Sequence, residues 1–226
     1  MKYNPIKELT KREWALWLGS LMAVAGAYLA SGTADPLTLA AACVGITALV
    51  FAAKGNVWAQ ILMIIFSVMY GVLSWRMCYW GEMLTYLGMT LPMAVWSAAV
   101  WLLHPAENGT AVALQKLTAR HWAGLSASAA AVTAVFYLIL QRLDTPNLLW
   151  STVSVTTSFF AAALTMLRSS YYALGYAAND LVLIVLWLYA SLKSPVYLPI
   201  AVNFAVFFLI DLYGFANWKK REKLCV

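Results

Sequence analysis

Charge is what this sequence has least of. Of 226 residues, 15 are Lys or Arg and 9 are Asp or Glu, 11% in all, against 63% hydrophobic residues and a mean hydropathy of +0.75. A soluble domain runs near about 25% charged and roughly 45–50% apolar, so polar side chains here are too few to cover a water-soluble globule. Histidine occurs twice, as His104 and His121, both at the ends of apolar runs. That leaves no base at membrane depth for a nucleophile and no imidazole pair for a metal, which argues against an enzyme. Cys43, Cys78 and Cys225 are odd in number and scattered, without disulfide, zinc or redox spacing. No Gly-rich phosphate loop is present, so ATP hydrolysis has no support and no cofactor is implied. The net charge of +6 does not gather into a basic patch interleaved with aromatics, which argues against a nucleic-acid partner.

What is abundant is apolar sequence. A membrane-spanning helix needs roughly 20 mostly apolar residues. Eight windows qualify, at about 14–31, 36–53, 57–77, 84–103, 120–140, 147–167, 171–192 and 197–217. The charged lead "MKYNPIKELTKREW", with no obvious small-residue cleavage site after the first window, makes that window a helix rather than a signal peptide. Lys and Arg collect in cytoplasmic loops. With the N-terminus inside, twelve of the fifteen basic residues fall on one side, leaving Arg76, Arg142 and Lys193 on the other. Eight helices with both termini cytoplasmic follow.

The chain repeats itself. "TALVFAA" from Thr47 in the second window aligns without gaps with "TTSFFAA" from Thr156 in the sixth. "WSAAVW" ending at Trp101 pairs with "YGFANW" ending at Trp218, and the pairs lie 109 and 117 residues apart. Windows two to four thus resemble windows six to eight. One helix between two odd-numbered triplets makes the triplets parallel, related by an axis along the membrane normal. The fold expected is an all-α membrane protein in a three-one-three plan. Its parts are an N-terminus and extra helix over 1–31, a first three-helix bundle over 36–103, a flexible cytoplasmic loop over 104–119, a linking helix over 120–140, a second bundle over 147–217 and a basic cytoplasmic tail over 218–226.

Two of the nine acidic residues fall inside a window, Asp180 and Asp211; the others, Glu82 among them, fall in loops or at helix ends. An Asp near the bilayer centre costs about 2.5–3.5 kcal/mol and normally faces a cavity or the bundle interior. Asp180 stands beside Asn179 in "YAANDLVLIV", and the pair borders a stripe with Tyr172, Tyr176 and Trp187 at helical spacing. The plain alternative is interhelical glue, worth about 0.6–2 kcal/mol. Asp211, nearer the cytoplasmic end, reads as interfacial packing. Gln60 in the third window, with Trp58 beside it, and Asn203 in the eighth are further polar groups at depth. Amides both donate and accept, which suits a neutral polar solute, and aromatic faces suit a flat ring or a cation. The expected substrate contacts are Trp58, Gln60, Tyr176, Asn179, Asp180 and Asn203. Tyr86, Trp96, Trp101, Tyr197, Tyr213 and Trp218 read as interfacial anchors.

Three stretches carry a family resemblance. "FAAKGNVWAQILMIIFSVMYGVLSWRMCYWGE", "YALGYAAND" and "DLYGFANWKKREK" resemble passages of the PnuC family of vitamin transporters, over roughly residues 36–224. The second sits where that family has W-x-x-W-x-x-x-N/D. The resemblance implies a fold like the SWEET sugar carriers, homotrimers, and uptake of nicotinamide riboside by facilitated diffusion in the bacterial inner membrane, with trapping by a cytoplasmic kinase. Relatives carry thiamine, riboflavin or nucleosides, and proton or sodium coupling through Asp180 is the other mechanism to weigh. The chain departs from the motif at Tyr172 and Gly175, where tryptophans are expected. Gly175 is expected to leave room for a bulkier solute.

Overall fold

A segment in hydrocarbon has no water to satisfy its N–H and C=O groups, and a helix pairs them internally. Every apolar window therefore folds as a helix. The computed structural model describes residues 5–32, 35–106 and 111–224; Lys2, Glu107 and Cys225 lie outside them, as do the two chain ends and the middle of the loop over 104–119. Helix α1 (Lys11–Ala30) opens on a capping box of Thr10 and Glu13. Helix α2 (Pro36–Lys54) starts with Asp35 as N-cap and stops at Gly55, whose φ of 74° suits a residue without a Cβ. Then follow α3 (Trp58–Arg76), α4 (Trp80–Leu84), a π-helical turn (Thr85–Thr90), α5 (Leu91–Leu103), α6 (Ala119–Arg142), α7 (Leu148–Met166), α8 (Tyr172–Lys193) and α9 (Leu198–Leu224). Among the described residues eight segments are long and apolar enough to span, with α4 to α5 continuous. The chain is an integral membrane protein. The stretch expected as a basic tail continues α9, because Lys, Arg and Glu favour helix and because Glu222 accepts from Lys219 at 2.8 Å and from Ser170 at 2.7 Å.

Helix α3 packs on α2 and on the α4–α5 segment; α8 packs on α7 and α9. The two triplets meet where α2 lies on α9 and α5 on α7. The matched threonines occupy matched places. Thr47 donates back to the Cys43 carbonyl at 2.8 Å and accepts from Trp17 of α1 at 3.1 Å. Thr156 donates back to the Thr152 carbonyl at 3.1 Å and meets Thr133 of α6 at 2.8 Å. Helix α1, outside the repeat as sequence shows it, thus stands to α2 as α6 stands to α7.

Trp101 and Trp218 are not interfacial anchors. They are 2% and 0% exposed, with ring centroids 5.7 Å apart. Trp101 donates to the Thr165 carbonyl at 3.0 Å, and Trp218 to the Ala52 carbonyl at 2.9 Å. The last helix of each triplet thus staples the first helix of the other, at last-turn carbonyls that also accept from the capping turn, Thr165 from the Arg168 N–H at 3.0 Å and Ala52 from the Gly55 N–H at 2.8 Å. Anchors and staples use the same amphipathic ring, so sequence does not separate them. Trp101→Phe and Trp218→Phe each remove a hydrogen bond between the triplets, leaving the carbonyl with its main-chain donor alone, and each is expected to destabilise by about 1 kcal/mol. Thermal melting in detergent checks this; a clear effect from one tryptophan and none from the other would break the twofold pairing.

The described part of the loop after α5 is not a free connection. Val112, 2% exposed, donates to the Gly55 carbonyl at 2.9 Å, and the Gln115 N–H to the Arg168 carbonyl at 3.1 Å. Arg168 holds the Gln115 side chain at 3.1 Å, and Arg221 holds the Val112 carbonyl at 2.9 Å. The segment bridges the ends of α2, α7 and α9. Its partners are mostly main-chain groups, which leave no mark on composition.

Candidate functional site

A narrow cavity of about 20 Å³, room for about one water, lies between α2, α3, the π-helical turn, α7, α8 and α9. Helix α8 contributes Tyr176, Asn179 and Asp180 to its wall, and α9 contributes Phe207 and Asp211. Phe66 comes from α3, Tyr86 and Thr90 from the π-helical turn, and Ser158 from α7. The widened turn has a local cause. Pro92 has no N–H, and its ring presses on the carbonyl four residues back, a strain that an i→i+5 turn relieves. The turn aims Tyr86 and Thr90 inward.

Asn179 is 2% exposed and its orientation is set. Its Oδ1 accepts from Ser158 at 2.9 Å and lies 2.8 Å from the Thr157 hydroxyl. With that oxygen occupied, Nδ2 turns toward Tyr86, whose hydroxyl lies within hydrogen-bonding reach. Asp180 and Asp211 are 3% and 2% exposed, and their carboxyl groups lie within hydrogen-bonding reach of each other. One oxygen of each, and the Thr90 hydroxyl, has no hydrogen-bond partner.

Aromatic layers close the cavity at both ends. Along α8, Tyr172 comes before the site and Trp187 after it. At the end where Lys and Arg collect, the Trp218 ring lies 4.4 Å from Tyr172 and 5.7 Å from Trp101, centroid to centroid. At the opposite end Trp187 donates to the Tyr70 hydroxyl at 2.7 Å, joining α8 to α3, and stacks 4.7 Å from Tyr79. Burial, then Tyr197 and Glu82 beside it, raises the Tyr79 hydroxyl above its ordinary range, so that it stays protonated at neutral pH. Glu82, expected at a helix end, is 0% exposed within α4. Tyr70, Tyr79 and Tyr86 surround it, and Ser154 lies 3.4 Å away. The fourth span starts four residues earlier than its hydropathy window, which is why the residue looked peripheral.

Of the expected contacts, Tyr176, Asn179 and Asp180 come together in this cavity. Gln60 is buried one turn before Met63 of the wall but does not line it. Trp58 is 36% exposed at the start of α3, its N–H held by Asn56 at 3.0 Å, and does not reach the site. Asn203 lines a second narrow cavity of about 20 Å³ between α1, α2, α3 and α9. Phe66 borders both spaces, 5.6 Å from Phe207. Asp211 is no interfacial cap and Tyr86, 6% exposed, no anchor; both belong to the wall. A signal for Ser158 was present in "STVSVTTS", six hydroxyls in eight residues of a spanning helix. Tyr172 and Gly175, the two departures from the motif, both face away. Tyr172 packs on Trp218, and a Cβ on Gly175 would stand 2.9 Å from the Ala161 backbone. Gly175 lets α8 approach α7 and makes no room for a solute.

The nicotinamide mononucleotide transporter family matches the chain over residues 35–220. The nicotinamide riboside transporter PnuC of Neisseria mucosa is 28% identical over 215 residues, covering 92% of this chain and 81% of that one. The PnuC of Haemophilus influenzae is 25% identical over 181 residues, 79% of this chain and 77% of its own. A crystal structure of the vitamin B3 transporter PnuC superposes with a TM-score of 0.80 at 26% identity, covering 94% of this chain and 92% of that chain.

Proposed function

The chain belongs to the nicotinamide mononucleotide transporter family, and on that footing we propose that it carries nicotinamide riboside across a bacterial inner membrane by facilitated diffusion. Both termini then face the cytoplasm, where a kinase traps the product. Three copies assemble, as in the family it resembles; the outward apolar face of α6, with three buried residues in its length, is available to lipid or to a neighbour. It is a transporter and not an enzyme.

The observation that carries this reading is the polar wall of Tyr176, Asn179, Asp180 and Asp211 on one narrow cavity between two aromatic layers. The fixed Asn179 amide offers a donor to a hydroxyl or carboxamide, and the rings of Phe66, Tyr86, Tyr176 and Phe207 offer faces to a flat heterocycle. Opening the Tyr70–Trp187 contact on one side, and the Trp218 staple on the other, gives alternating access around a fixed site.

The cavity favours the riboside over its phosphate. Among the described residues no Lys, Arg or His lines it, and a phosphate brought beside two carboxyl groups would be desolvated without a counter-charge. Calorimetry on the detergent-purified chain is expected to give saturable binding of nicotinamide riboside and roughly 100-fold weaker binding of nicotinamide mononucleotide. Equal affinity for the two would overturn the assignment. Uptake into proteoliposomes is expected to stop at equal concentrations inside and out; accumulation driven by a proton or sodium gradient would favour coupling through Asp180 instead.

A further inference from the structure

We propose that Asp180 and Asp211 act as one charge selector, so that the cavity takes a solute carrying a positive charge on a flat ring and rejects its neutral isostere. The inference rests on the cavity being the solute site and goes on to say which property of the solute the site reads.

Two other acids among the described residues are buried: Glu82 is 0% exposed with Ser154 3.4 Å away and a ring of tyrosines, while Glu13 meets a cation. Glu13 is 3% exposed and is met by Lys54 at 3.0 Å, the Tyr213 hydroxyl at 3.1 Å and the Thr10 N–H at 2.7 Å. Asp180 and Asp211 are as deeply buried, face each other, and have no cation among the residues lining their cavity. Glue between α8 and α9 would satisfy the oxygens, yet one buried oxygen of each carboxyl finds no donor among the described residues, and both residues line the cavity. On the opposing π-helical turn the Thr90 hydroxyl is unpartnered in the same space. Ionised carboxylates only accept hydrogen bonds, so such a contact is stable with a proton or a cation between its members.

The rest of the wall fits the second possibility. Four rings, Phe66, Tyr86, Tyr176 and Phe207, line the cavity with the two carboxyls. Ring faces attract cations most strongly where water is excluded. Carboxyl groups on one side and ring faces on the others suit a charge delocalised over a heterocycle, such as a pyridinium or a thiazolium. Flavins and deoxynucleosides, flat but neutral, would leave the pair uncompensated.

The test uses the unaltered chain and calorimetry with matched ligands. Nicotinamide riboside and its 1,4-dihydro form share their outline, but the first is a cation and the second neutral. Thiamine supplies a second cation, and riboflavin and deoxyadenosine supply neutral rings. The riboside is expected to bind at least roughly tenfold tighter than its dihydro form. Asp180→Asn and Asp211→Asn are each expected to weaken the cation by roughly tenfold while leaving the neutral ligand within about threefold, provided the melting temperature shows folded protein. Thiamine binding without riboside binding would overturn the substrate reading and keep the charge selector. Equal affinity for the riboside and its dihydro form, tighter binding of a neutral ring, or binding of neither cation would overturn the charge selector. So would affinity that depends on sodium and not on ring charge.

Discussion

Gly175→Trp, which restores an aromatic at the motif position, is expected to cost the fold and not to improve binding. A single Cβ at 175 would lie 2.9 Å from the Ala161 Cα, 3.2 Å from its N and 3.3 Å from its Cβ. The first two are backbone atoms of a helix and do not swing aside. Helices α7 and α8 close on each other through small residues, Ala161 meeting Gly175, which is how membrane helices gain contact where lipid supplies no hydrophobic push. Gly175→Ala is expected to destabilise by about 1–3 kcal/mol, the usual cost of overpacking. An indole would prise the two helices apart and pull Asn179 away from Ser158 one turn further on. The expected result is Gly175→Trp that aggregates on size exclusion in detergent, and Gly175→Ala that melts lower. A monodisperse Gly175→Trp with tighter riboside binding would show that position 175 faces the solute after all.

The same geometry explains what sequence could and could not tell. The eight spans were legible because lipid imposes a length and a composition that little else satisfies. Asn179 and Asp180 were legible because polar groups at depth are costly enough to need a reason. Which side of a span faces the bundle was less legible. Lipid tails are as apolar as a protein core, so hydropathy does not mark the inward face, and Gly175 read as vacancy when it is contact. Aromatics were misjudged for a related reason: Tyr86, Trp101 and Trp218 carry the same ring and polar tip as an interfacial anchor, and only their partners on other helices distinguish them. Asp211 and Ser158 join the site through the packing of α9 and α7 on α8, a long-range fact. The repeat was the exception among long-range features, since Thr47 and Thr156 do hold equivalent positions.

Asn179→Ala is expected to weaken riboside binding by about 10- to 100-fold, with a smaller loss of stability. The amide has two functions that the substitution removes together. Its oxygen gathers the hydroxyls of Ser158 and Thr157 from α7, and its nitrogen is turned toward Tyr86 and the cavity. Losing a donor to a bound polar group costs roughly 1–3 kcal/mol when that group has no water to fall back on, which sets the range. Ser158, 3% exposed, also loses its acceptor, so stability should fall by about 1 kcal/mol as well, read as a lower melting temperature. Asn179→Asp separates the functions. A carboxylate still accepts from both hydroxyls, but it has no donor and adds a third acid beside Asp180 and Asp211, so the empty protein should melt lower and a bound cation should restore it. A cationic solute should tolerate that change within about threefold, whereas a neutral one that relied on the amide N–H should be lost. Wild-type affinity in Asn179→Ala, with only the melting temperature lowered, would make Asn179 a tie between α7 and α8 and leave recognition to the two carboxyl groups and the rings.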